Sequence, residues 1–106
     1  MFIVDALITI DPEQRAAFIV LMDRVVAETR REPGNLGFRL TADLVDSGKF
    51  VLFEHWQSED ALGQHLRQPY LVELVAAAPG FGFSLVGTKY DVSGSEPASE
   101  VLKRAR

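Results

Sequence analysis

What most constrains this chain is the order in which its hydrophobic period changes. From Phe2 to Ile10 every even position is apolar: Phe2, Val4, Ala6, Ile8 and Ile10. A period of two places those side chains on one face of a β-strand. The odd positions Ile3, Asp5, Leu7 and Thr9 are too apolar for a face bathed only in water and too polar for a deep core. That second face therefore calls for partial cover.

The period then changes to that of a helix. Asp11, Pro12, Glu13 and Gln14 supply a carboxylate cap, a proline where the missing N–H costs nothing, and a capping-box Gln. Phe18, Leu21, Met22, Val25 and Thr29 follow at steps of three and four and form a stripe for packing on a sheet. Arg15, Asp23, Arg24 and Arg30 fall on the solvated side, and Pro33 and Gly34 end the helix.

Alternation returns in Leu36, Phe38, Leu40, Ala42 and Leu44, and again in Phe50, Leu52, Glu54 and Trp56. The turn between the two runs contains Asp46, Ser47 and Gly48, which predicts a β-hairpin. Ser58 caps a second helix, with Glu59 and Asp60 in its first turn and Leu62 and Leu66 on one face. Pro69 interrupts it, so a break is expected near Gln68 and a further short helix from Tyr70 to about Ala77. The last strand is expected from about Phe81 to Val92, with Phe81 and Phe83 in the core. Residues 93–106 turn to Ser, Gly, Glu and Pro and read as a C-terminal tail, in which Ser99 caps a short helix.

Strand, helix, hairpin, helix, strand is the split β-α-β order. It defines an α+β, ferredoxin-like β-α-β-β-α-β domain over residues 1–92, with both helical regions on one face of an antiparallel sheet. The other face carries Ile3, Leu7, Val51 and Phe53, and a second copy of the chain would cover it through a two-fold axis. A homodimer is expected; against it stands the reading that these are scattered surface hydrophobics, which monomers tolerate.

Composition narrows the function classes. A chain of 106 residues has no room for a second domain. It has no Cys, which removes disulfides, thiolate metal sites and a Cys nucleophile. The formal net charge is −4 and the 11 Lys and Arg are scattered except at the C-terminus, so nucleic acid is not an expected partner. No apolar run reaches membrane-spanning length and no basic secretion leader precedes the first strand, so the expected location is cytoplasmic with no membrane partner. No phosphate-binding glycine loop, nucleophile elbow or HExxH pattern occurs. With two His in all, no metal site is expected.

Glu32-Pro33-Gly34 after the first helix, Glu54 and Trp56 at a strand end, and the Ala61-Leu62 pair before His65 are similar to the antibiotic biosynthesis monooxygenase family. The resemblance covers about residues 1–92. It implies a dimeric α+β barrel and, in oxygenating members, chemistry without metal or flavin. There an electron-rich phenol or quinol is deprotonated and its anion itself reduces dioxygen. The chain departs from the family pattern at Tyr70, where many relatives carry a second His, and at Phe38, where Tyr is frequent. The heme-degrading branch is marked by an Asn on the first strand; Asp5 stands there instead, which makes heme the less favoured ligand.

His65 is the candidate general base, because imidazole titrates near neutrality and its helix position faces the sheet. The reading of a buried, hydrogen-bonded structural His stands level with it. His55, between Glu54 and Trp56, is the weaker candidate. Trp56 could stack on a planar aromatic substrate, or be a core tryptophan at a strand end. Glu54 shares the face of Trp56 and Leu52, so an interior carboxylate there must be paired or protonated; an ion pair with an Arg is the plainer explanation. Asn35 and Arg39 could steady a developing phenolate, or satisfy a turn and a solvent edge. Phe38 and Tyr70 complete the substrate-binding candidates, Tyr70 as proton donor or as pocket wall.

The expectation from these residues and the resemblance is a monooxygenase with no cofactor, oxidising a small aromatic quinol or polyketide-like phenol with O2. The alternatives are a non-catalytic dimeric ligand-binding protein and, less favoured, a heme-binding or heme-degrading protein.

Overall fold

The structure is a computed structural model and describes residues 1–105. Four strands, β1 (Phe2–Thr9), β2 (Asn35–Ala42), β3 (Lys49–Trp56) and β4 (Ser84–Asp91), form one sheet in the order β2-β3-β1-β4. Every neighbouring pair is antiparallel. Helices α1 (Arg15–Thr29), α2 (Glu59–Leu66) and α3 (Pro69–Ala77) complete the ferredoxin-like order, and α4 (Ala98–Arg104) follows the last strand.

Register carries the sequence alternation into two unequal faces. Ala6 pairs with Leu52 and Ile8 with Phe50, and these join Phe18, Met22 and Val25 of α1 and Leu62, Tyr70 and Leu74 of α2 and α3 in one core. On the opposite face Leu7 lies between Val51 and Val86, and all three are substantially exposed. Gly87 faces Ala6 so closely that a Cβ there would meet the Asp5 carbonyl at 2.5 Å, so β4 can approach β1 only with glycine at this position.

Several local expectations are corrected. Pro12–Gln14 form a 3-10 turn, and the α-helix begins at Arg15. Asp11 caps by accepting the Glu13 N–H at 3.0 Å, but Gln14 makes no capping bond. The Asp11 N–H that a capping box would satisfy already donates to the Phe81 carbonyl at 2.8 Å. A bulge between Asn35 and Gly37 leaves Leu36 unpaired and exposed. Leu44 lies beyond β2, because the Asp43 carboxylate accepts the N–H groups of Val45 and Asp46 at 2.9 and 2.7 Å and turns the chain out of the sheet. Strand β4 starts at Ser84 because Ala78–Phe81 form a 3-10 turn closed by Gly82 at φ 64°. Pro97, not Ser99, occupies the cap position of α4. Ser58 does cap α2, accepting the Ala61 N–H at 3.1 Å, and the break expected near Gln68 is the start of α3 at Pro69.

Candidate active site

A period of two puts Glu54 and Trp56 on the same side of β3, facing the helices, and both are buried. Three-residue spacing in α2 places His65 beneath the same helix face as Leu62, where it is 2% exposed. Tyr70 enters from the first turn of α3. Glu32 arrives from the loop after α1, held by its N–H to Thr29 and by the Asn35 N–H to its carbonyl. Two residues on, Gly34 adopts φ 82° and lies so near α2 that a Cβ would meet that of Ala61 at 2.6 Å. Both the backbone angle and the close approach require glycine there.

These side chains form one connected line. The Tyr70 hydroxyl donates to Glu32 Oε2. The same oxygen lies 2.7 Å from His65 Nδ1. On the other side of the imidazole, Nε2 lies 3.8 Å from Glu54 Oε1, which accepts the Trp56 indole N–H at 3.0 Å. The Trp56 ring covers the imidazole with centroids 4.7 Å apart and an interplanar angle of 39°, and Phe38 packs at 5.7 Å.

Beside this line lies a cavity of about 360 Å³. Ile8, Met22, Val25, Leu52, Leu74 and Phe83 supply hydrocarbon walls, Phe38 closes one side, and the ionisable groups in its lining are Glu54 and His65. Trp56 and Tyr70 stand outside that lining. Burial pushes the Glu54 carboxyl above the usual carboxylate range and the Glu32 charge adds to this, while the Trp56 hydrogen bond and His65 oppose it. Tyr70 is pushed up to about 12, first by burial and then by its hydrogen bond to Glu32.

The other sequence candidates are placed elsewhere. The Asn35 amide donates to the Gly37 carbonyl at 3.2 Å and closes the bulge. Arg39 is exposed, and its guanidinium stacks over Phe53, 5.2 Å from the ring centroid, on the sheet face away from the helices. His55 is on that face too, with Nε2 3.0 Å from Met1 Sδ. The Arg partner considered for Glu54 is absent among the described residues; Trp56 and His65 take that place. Glu32 is the member of the line that reading the sequence did not single out as a site residue. The available signal was chemical: a buried imidazole needs an acceptor for its ring N–H. Among the described residues no group of three or more His, Cys, Asp or Glu is arranged to hold a metal ion. No helix among them is long and apolar enough to cross a membrane.

A four-stranded antiparallel sheet roofed by helices, with a greasy cavity lined in part by Glu54 and His65, defines an α+β ferredoxin-like domain. Residues 1–78 match the antibiotic biosynthesis monooxygenase family, and the chain belongs to it. It is 28% identical over 96 residues to YcnE of Bacillus subtilis, a monooxygenase by provisional name, covering 91% of this chain and 97% of that protein. It is 31% identical over 72 residues to the uncharacterized protein sll1783 of Synechocystis, covering 68% of this chain. The matched segment spans about half of that relative, 49% of its length. Among solved structures, an antibiotic biosynthesis monooxygenase, again by provisional name, from Deinococcus radiodurans superposes with a TM-score of 0.83 at 26% identity, covering 92% of this chain and 97% of that one. Rv0793 of Mycobacterium tuberculosis superposes with a TM-score of 0.80 at 26% identity, covering 91% and 98%.

Proposed function

We propose that the protein is a cofactor-independent monooxygenase that oxidises a small aromatic quinol or phenol with O2. The observation that carries this reading is a hydrocarbon cavity whose lining includes two ionisable residues, His65 and Glu54. A planar phenol enters such a cavity for its hydrophobic surface and is oriented by the few polar atoms it meets. His65 Nε2 takes the hydroxyl proton. Glu54, driven toward its neutral form by burial, can donate to an oxygen on the substrate. The anion so formed is the reductant for dioxygen, and apolar walls keep bulk water from quenching it. One oxygen atom forms a new C–O bond on the ring, the other leaves as water with two hydrogens from the substrate, and all four electrons come from the substrate. Trp56 acts from behind, holding Glu54 by its N–H and the imidazole by its ring face.

A homodimer belongs to the same reading. Leu7, Val51, Val86 and Tyr90 are exposed on the face away from the helices, and every residue of β4 is exposed. A second copy packed on this face would cover the apolar side chains of both sheets. Sedimentation at micromolar concentration is expected to give a dimer; a compact single subunit would remove this part of the proposal.

The deciding experiment is oxygen uptake with a panel of quinols and hydroxylated polycyclic aromatics. His65→Ala should lower the rate by a factor of about 100 or more, the range expected for loss of a general base. Unchanged turnover would take His65 out of the mechanism. Binding of the panel without oxygen uptake by the native protein would leave a ligand-binding protein in place of an enzyme.

A further inference from the structure

We infer that Glu32 is a positioning residue that fixes the tautomer of His65, holding the ring proton on Nδ1 and leaving Nε2 bare toward the cavity. The inference rests on the proposed base role of His65 for its functional meaning, but not for its physical basis. Glu32 Oε2 receives two groups at once, the Tyr70 hydroxyl and His65 Nδ1. The hydroxyl donates, and an oxygen that accepts from one neighbour and lies 2.7 Å from a ring nitrogen is best matched by an N–H on that nitrogen. A neutral imidazole carries one ring proton, so placing it on Nδ1 makes Nε2 an acceptor.

The surroundings restrict the alternatives. His65 is almost completely buried, so water does not compete for Nδ1. The Trp56 ring lies across one face of the imidazole and limits its rotation. At Nε2 the nearest ionisable partner is the Glu54 carboxyl group, with Oε1 at 3.8 Å, beyond hydrogen-bonding distance, and that oxygen accepts the Trp56 N–H at 3.0 Å. The strong contact is thus on the Nδ1 side. An imidazole with the opposite tautomer would present a donor to the cavity and could not take a proton from a bound hydroxyl. Once Nε2 does take one, the Glu32 carboxylate faces the resulting cation, as the orienting acid does in a nucleophile–base–acid arrangement.

The test needs no substrate. In the full-length chain labelled with 15N, long-range proton–nitrogen correlation spectra report which ring nitrogen of each His carries hydrogen; a His55→Gln variant leaves His65 as the sole source of signals. At neutral pH the native protein should show a protonated Nδ1 and a bare Nε2. Glu32→Ala should move His65 toward the Nε2–H form or a mixture, whereas Glu32→Gln, which keeps an acceptor oxygen, should retain Nδ1–H. A native His65 protonated at Nε2, or at both nitrogens, overturns the inference, and so does an unchanged tautomer in Glu32→Ala. If Glu32→Ala fails to fold, the native spectrum and Glu32→Gln still decide. Because the tautomer is read without turnover, a correct tautomer with an inactive protein would defeat the oxygenase reading alone. An active, His65-dependent enzyme with the wrong tautomer would defeat this inference alone.

Discussion

The two ends of the layer between sheet and helices are buried to the same depth and built in opposite ways. At one end Phe18 is fully enclosed by Phe50, Phe81 and Phe83, with ring centroids 5.2, 5.6 and 6.2 Å from its own. At the other, Trp56, Glu54, His65, Glu32 and Tyr70 are joined by hydrogen bonds and a close carboxylate–imidazole approach. Hydrocarbon packing has no direction, so the Phe18 end needs volume and shape. The His65 end needs donors and acceptors in the right order, because an unpaired buried polar group costs more than a made hydrogen bond gains. One half of the core is therefore specified by volume and shape, and the other by the order of its donors and acceptors.

The largest expected effect would break this comparison if it failed. Phe18→Ala should destabilise the protein by about 3–5 kcal/mol, the range for removing a buried aromatic ring and leaving a cavity. Urea and thermal unfolding would measure it. While the variant remains folded, the tautomer of His65 should be unchanged, since no polar atom of Phe18 enters the line. A small loss of stability, or a disturbed His65 spectrum, would mean that the two ends are not separate in function.

Tyr70→Phe sharpens the comparison from the polar side. It removes one hydroxyl, keeps the ring packed in the core, and deprives Glu32 of a donor. A loss of about 1–3 kcal/mol is expected, the range for leaving a buried acceptor under-satisfied. The hydroxyl also carries a pH signature. Tyr70 has its folded value raised to about 12 from an unfolded 10.0. Its contribution is therefore complete below pH 10.0 and lost as pH rises through about 12. Difference absorbance between native protein and Tyr70→Phe should show a phenolate that appears only near the upper value. A phenol in that difference spectrum with an ordinary titration would contradict the burial and the contact with Glu32.

The hydrocarbon end was the more legible in the sequence, for the same physical reason. Side-chain period reports which face an element buries, and Phe18, Phe50 and Ile8 all declared themselves by spacing. The break before Pro69 was legible because a proline acts on its own neighbours. Leu36 was misread because one extra residue in a bulged strand leaves composition and apparent period untouched. Parity alone placed Arg39 opposite Phe38, so its absence from the cavity was available from the alternation. Glu32 was hidden for a different reason. Its partners are 33 and 38 residues away, and no period in its own neighbourhood encodes an acceptor for His65 or Tyr70. Resemblance to a family supplied the residues Glu32-Pro33-Gly34 as a pattern; only the fold supplied what Glu32 touches.

The smallest expected effect concerns Glu54 and tests whether the polar end carries a cost in stability. Burial raises its carboxyl above the ordinary value of 4.5 in the folded chain. The folded state therefore holds a proton that the unfolded state has released between those two values. By linkage, stability is greatest below pH 4.5 as far as this group is concerned, and falls as pH rises through the folded value. Glu54→Gln keeps an oxygen able to accept the Trp56 N–H but has nothing to ionise. Measured against the native protein by urea unfolding, it should therefore gain relative stability on going from pH 4 to pH 8, with the change centred above the ordinary glutamate range. The opposite slope would mean that Glu54 is held as a carboxylate by His65 and Trp56 against its burial. The cavity wall would then present an ion pair, and Glu54 could not serve as a donor to a bound oxygen.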